Sequence, residues 1–275
     1  MTNYLHKVLP PQYSHVNKVY CLLAATVFCA LPLCSTEAAA ENILKYDGTT
    51  NIHGNAKTWA AKNEYDGIDI RVTGVDGGYY TDTTEALVLN NQTLNVKGKG
   101  KFVSIINTAQ NKQIDNNGGI YAKGGSTVNF TDVDSIYIAA IAGKEGGNDS
   151  TVISAKDPGR DLKGYTNIVN ISGTTVQLIG SIDVMHSLGS VFFNRNARHT
   201  VNAALSGSDS FWYGSAIGET DERTTVNLSL ADGATWIFNA GKSTLNAGGI
   251  IRNLKLDKGV VLFADAEVWE TYRKT

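Results

Sequence analysis

The sequence predicts an all-β chain, a right-handed parallel β-helix following an N-terminal signal peptide, with an irregular β-sandwich as the alternative. Three observations carry this. A short phrase centred on asparagine recurs along the chain, glycine is abundant where proline is nearly absent, and apolar residues alternate with polar ones without a sustained helical period.

The leader comes first. Lys7 and Lys18 precede a mostly apolar run from Val19 to Leu33, and Ala38-Ala39-Ala40 offers the small residues a signal peptidase reads. That run is shorter than the roughly 20 residues a bilayer core requires. Cleavage is expected between Ala40 and Glu41, with Ala38 and Ala40 at the recognised positions. Residues 1–40 are then a signal peptide with an extended basic and polar start, and 41–275 a single exported domain. Lipid attachment at Cys34 is disfavoured by Pro32 and bulky Leu33 before it.

Composition narrows what the exported part does. Cys21, Cys29 and Cys34 all lie in the leader, so the exported chain has neither disulfides nor a thiolate nucleophile. Of 24 basic and 26 acidic residues, setting aside Lys7, Lys18 and Glu37 leaves 22 and 25, a net charge of −3. No basic stripe exists, so nucleic acid is not an expected partner. All 28 glycines and only one proline, Pro158, remain after the leader. That balance suits long continuous sheet, since proline removes a ladder donor.

The recurring phrase appears as Thr93-Leu94-Asn95, Thr127-Val128-Asn129, Ile168-Val169-Asn170, Thr200-Val201-Asn202, Thr225-Val226-Asn227 and Thr244-Leu245-Asn246. Its aliphatic residues are 34, 41, 32, 25 and 19 positions apart, a drifting period of stacked units with loop insertions. Each copy reads as a strand. In Thr225 to Leu230, Val226, Leu228 and Leu230 share one face and Thr225, Asn227 and Ser229 the other. Asp232-Gly233 then turns the chain, and Ala234, Trp236 and Phe238 line one face of the next strand. Asn239 to Ser243 turns again around Gly241.

One such unit buries a few aliphatics at roughly 1.5–3 kcal/mol each. That does not offset ordering about twenty residues at ~1–2 kcal/mol apiece. Units must therefore stack. Asparagine at a fixed place in successive units either forms a hydrogen-bonded ladder along the stack or simply faces water; the phrase alone leaves both open. Ala142 to Tyr165 is polar, charged and Gly-rich, and is expected as a loop excursion of the kind where binding sites collect or that merely meets solvent.

Candidate chemistry is thin. Gly241-Lys242-Ser243-Thr244 ends like a phosphate loop, but Trp236 stands where the first glycine belongs and strands flank it. Asp76 to Asp82 has one imperfect match to a calcium-binding repeat, with Tyr80 in place of a glycine. His53, His186 and His199 lie at no zinc-ligand spacing, and no Gly-x-Ser-x-Gly elbow occurs. Asn194 to His199 reads as a compact cationic turn before the Thr200 strand, open to an anionic glycan or only to solvent. Asp66, Asp69 and Asp76 would serve acid/base chemistry only if folding joined them. No catalytic residue, metal or cofactor is assigned.

Leu228 to Ala264 resembles the β-helical passenger region of autotransporters, the pertactin-like and AIDA-like type V secreted proteins of Gram-negative bacteria. The matching elements are Leu230 to Trp236, Ser243-Thr244-Leu245-Asn246, and Leu254-Lys255-Leu256 before Gly259 to Phe263. The long leader is similar to the extended signal peptides common there, and the Thr-x-Asn strands extend the likeness back to about Gln92. The resemblance implies rungs of a β-helix with Trp236 packed inside. It also implies a translocator barrel, which this chain does not contain, so the barrel is expected from a longer or neighbouring gene unless the chain is a truncated remnant. The implied function is a non-catalytic adhesin or self-associating passenger at the outer membrane, cell surface or outside the cell. Its expected partners are surface glycans or proteins and its own copies. A β-helical polysaccharide lyase or hydrolase is the rival, which would need clustered carboxylates with Arg or Lys on adjacent rungs.

Overall fold

The computed structural model describes residues 42–48, 62–74, 84–109, 117–141, 151–156, 164–184, 197–218, 223–239 and 251–263. All fall in the compact unit Glu41–Thr275. The expected leader, with Ala38, Ala40 and Glu41, lies outside the described residues. Those that are described form strands and turns without helix. Every pairing between named strands is parallel. The chain is all-β with parallel sheets, consistent with a parallel β-solenoid; a sandwich would need antiparallel ones.

The strands fall into columns that the chain visits in rotation. The first column holds β4 (Thr93–Lys97), the leading half of β7 (Thr127–Ile141), the leading half of β9 (Thr166–Ile179), β11 (Arg198–Ser206), β14 (Thr224–Ala231) and β16 (Asn253–Asp257). The second holds β1 (Ile43–Gly48), β2 (Gly67–Gly74), β5 (Phe102–Ala109), the trailing halves of β7 and β9, β12 (Phe211–Gly214), β15 (Thr235–Phe238) and β17 (Val260–Phe263). The third, a separate 5-stranded sheet, holds β3 (Thr84–Asn90), β6 (Asn117–Lys123), β8 (Thr151–Ala155), β10 (Ser181–Asp183) and β13 (Ala216–Ile217). Strands β7 and β9 run through the first corner, which joins those two columns into one 12-stranded sheet.

Alternation places the core between the columns. Val226 and Leu230 are fully buried and Leu228 nearly so, while Thr225, Asn227 and Ser229 stay partly exposed. Leu94, Val128, Val169 and Val201, the aliphatics of the earlier phrases, stack in register and are all buried. Register slips would expose this whole set, so pairing is strongly specified. Asp232 and Gly233 turn the chain between β14 and β15 with φ of 52° and 91°, the positive angles that this residue pair tolerates.

Aromatic rings continue the core through the second column. Trp212 and Trp236 stack at 5.1 Å and 9°, and Phe238 meets Trp236 and Phe263 edge-on at 5.4 and 5.7 Å. Each indole N–H, otherwise a buried orphan, finds a carbonyl one turn back: Trp212 donates to Gly180 at 2.9 Å and Trp236 to Gly214 at 3.0 Å.

Two expectations change. The polar excursion at 142–165 contains β8, whose Val152, Ile153 and Ala155 are fully buried and pair with β6 and β10. Its charged flanks dominate the composition and hide a short apolar strand between them. The last phrase also moves: Thr244 to Ala247 lies outside the described residues, and Asn253 aligns with Asn227 instead. The final step is therefore 26 residues, not 19. Leu254 and Leu256, in register with Leu228 and Leu230, decide that alignment; Arg252 stands where the earlier phrases have an aliphatic.

Candidate functional site

The outward face of the first column carries an asparagine ladder. Asn129 donates its side-chain amide to Asn95 Oδ1 at 2.8 Å, Asn170 to Asn129 at 2.7 Å, and Asn202 to Asn170 at 2.7 Å. Asn227 donates to Asn202 and Asn253 to Asn227, each at 2.6 Å. Asn95 ends the run by donating to the Asn63 carbonyl at 3.1 Å. Every bond points the same way along the stack. Parallel in-register strands place like residues side by side, and an amide is both donor and acceptor, so one residue type repeated satisfies itself. Such chains polarise one another and stiffen the surface that bears them.

Flanking positions on the same face are mostly hydroxylic or small, with Ile168 and Ile251 two residues before Asn170 and Asn253. Thr93, Thr127, Thr200 and Thr225 precede the ladder by two residues, and Ser172, Ala204, Ser229 and Lys255 follow it in register. An open groove of about 330 Å³ runs along Asn170, Asn202, Asn227 and Asn253 beside that second row. Its lining is a fixed array at rung spacing, uncharged except at Lys255.

A second polar row lies inside. Asn167 Oδ1 accepts the backbone N–H groups of Gly125 and Ser126 at 2.9 and 3.0 Å, which leaves its amide nitrogen 3.1 Å from His199 Nδ1. Nδ1 must then accept, which assigns the imidazole as neutral with its proton on Nε2. His199 is fully buried. The expectation of a cationic turn at 194–199 is corrected there: Arg198 and His199 begin β11, and His199 shares inward parity with Val201, Ala203 and Leu205. Residues 194–196 lie outside the described residues.

Two of the three expected carboxylates each meet a cation. Asp66 faces Lys101 at 3.1 Å and Asp69 faces Arg71 at 3.5 Å. Asp76 to Asp82, His53, His186 and Gly241 to Thr244 are outside the described residues. In the third column Lys156 pairs with Asp183, a largely buried carboxylate on the neighbouring strand β10. Among the described residues, no group of three His, Cys, Asp or Glu is arranged to hold a metal ion. Burial raises the Tyr137 phenol above its usual value of 10.0.

No protein-family model, curated protein or solved structure matches the chain.

Sequence reasoning pointed to five of the ladder positions and missed Asn253, which follows Arg252 where the other copies have an aliphatic residue. Parity alone also marks His199 as inward, since it stands an even number of residues before Val201.

Proposed function

We propose that the chain is an exported surface-interaction protein, an autotransporter-like passenger folded as a right-handed parallel β-helix. It works by contact, as an adhesin or self-associating module at the outer membrane, cell surface or outside the cell. Its partners are surface glycans or proteins and further copies of itself, with a translocator barrel encoded separately where the system is split. The supporting observation is the outward ladder from Asn95 to Asn253, flanked by threonine and serine. Each amide keeps one N–H and one lone pair beyond those the ladder uses, so the face offers aligned donors and acceptors at a spacing of roughly 4.8 Å. A rigid array of that kind loses little conformational entropy on binding.

The test is binding of the exported chain to arrayed glycans and to matrix proteins. Capture that falls at least tenfold in the Thr200→Lys/Thr225→Lys double variant, at unchanged melting temperature, supports the reading. Capture unaffected by that change, or none at all, rejects it.

The rival enzyme reading draws on one observation, the pair between Asp183 of β10 and Lys156 just after the neighbouring β8. Turnover of acidic polysaccharides that Asp183→Asn abolishes would favour it.

A further inference from the structure

We propose that Asn167 and His199 form a proton-sensitive latch. Acid opens it by charging His199, which releases the turn at Gly124 to Ser126 and loosens the strands that bear the middle of the asparagine ladder. The latch is a property of the inner face and does not depend on what the outer face binds.

Its parts lie in one register row. Ser126, Asn167, His199 and Thr224 stand side by side at the leading ends of β7, β9, β11 and β14, and all four are buried. Asn129, Asn170, Asn202 and Asn227 follow them by three residues each. That odd step puts the ladder on the opposite face of the same four strands.

The bonds across the row dictate where the imidazole proton sits. Gly125 and Ser126 donate their backbone N–H groups to Asn167 Oδ1 at 2.9 and 3.0 Å, from a turn whose Gly124 and Gly125 have φ of 63° and 87°. Ser126 Oγ donates to the Lys123 carbonyl at 2.6 Å and accepts from Gln92 N–H at 3.2 Å. With Oδ1 committed, Asn167 presents an N–H to His199, and Nδ1 accepts it at 3.1 Å. A protonated Nδ1 sets donor against donor. Turning the Asn167 amide over relieves that clash but brings its NH2 against the Gly125 and Ser126 N–H groups. Turning the ring over leaves the amide facing a carbon. Each way of admitting the imidazolium breaks the row.

The surroundings do not favour the charge either. β8, β9, β11 and β14 contain no Asp or Glu, and their ionisable residues are Arg198 and His199. Just outside them stand Lys123, Tyr165, Arg223 and the pair of Lys156 with Asp183, whose carboxylate that lysine already holds. The closed row therefore takes only neutral imidazole, whereas the open one takes either form. An imidazole in water titrates at about 6.5. Closure is at full strength above that value and is lost as pH falls below it, by about tenfold in the opening equilibrium for each pH unit.

The test follows the protein from about pH 7.5 to about pH 5.5, the range of a histidine. Hydrogen exchange, corrected for the intrinsic effect of pH on amide rates, reads the turn, and NMR of the histidine ring protons reads the charge. Peptides containing Gly124 to Ser126 should lose protection about tenfold at the acid end, while those from Thr235–Phe238 keep theirs. His199 should gain its proton only along with that loss. Its resonance is the one missing from His199→Asn, whose side-chain oxygen takes the place of Nδ1 as a neutral acceptor; that variant should keep the turn protected throughout. If it does not fold, Gln in place of each of His6, His15, His53 and His186 assigns their resonances and leaves that of His199 to be followed in the parent. A His199 that titrates at about 6.5 with the turn still protected overturns the inference. So does turn protection in the parent that ignores pH, or the same acid loss in His199→Asn.

Discussion

Asn170 donates its amide to Asn129 Oδ1 at 2.7 Å across 41 residues of sequence, and in turn accepts from Asn202 at 2.7 Å. The middle of the ladder is therefore bonded on both sides.

Replacing Asn202 by Asp keeps the acceptor used by Asn227 but sets an oxygen against Asn170 Oδ1. Asn202→Asp is expected to cost about 1–3 kcal/mol, the range for losing a hydrogen bond and leaving an acceptor opposed. Urea unfolding measures it. The same holds for Asn227→Asp, an outward position that its two ladder bonds make sensitive; an unchanged midpoint would show the ladder to be passive.

Val226 is fully buried and Thr225 beside it is not. Val226→Asp should cost several kcal/mol for an unpaired buried carboxylate, and Thr225→Asp within about 0.5 kcal/mol. Thermal melts of the two variants check the inward assignment, since coincident melts are incompatible with it.

Gly214 lies beside the stacked tryptophans, its carbonyl accepting from Trp236 Nε1 at 3.0 Å. A Cβ there would come 2.1 Å from the Gly180 carbonyl oxygen, the atom that Trp212 Nε1 bonds, whereas at Gly233 the nearest atom is 3.5 Å away. Gly214→Ala should therefore cost about 3 kcal/mol or more, and Gly233→Ala only the ~1–2 kcal/mol of a positive φ. Tryptophan fluorescence followed through denaturation reads both.

Tyr137 gives a pH dependence. Burial raises its phenol above 10.0, so the folded state disfavours the phenolate. Its contribution is complete below that value and is lost as pH rises through it. Stability should fall more steeply above about pH 10 in the parent than in Tyr137→Phe; identical alkaline profiles would contradict the assignment.

Local alternation by itself determined which residues face inward. Val226, Leu228 and Leu230 are buried, Asp232-Gly233 turns, and Trp236 packs inside, because a period of two and a turn pair are written in neighbouring residues. Only the tertiary structure decided which residues meet across strands. The same asparagines were open to water or to a ladder until parallel in-register pairing set them side by side. Asn253 replaced Asn246 as the described neighbour of Asn227 because register is chosen by the leucines above and below, not by a matching phrase. The strand Thr151–Ala155 and the contact of Asn167 with His199 were hidden for the same reason. Each depends on a partner some thirty or more residues away, and sequence spacing carries no record of which loops are long enough to bring that partner near.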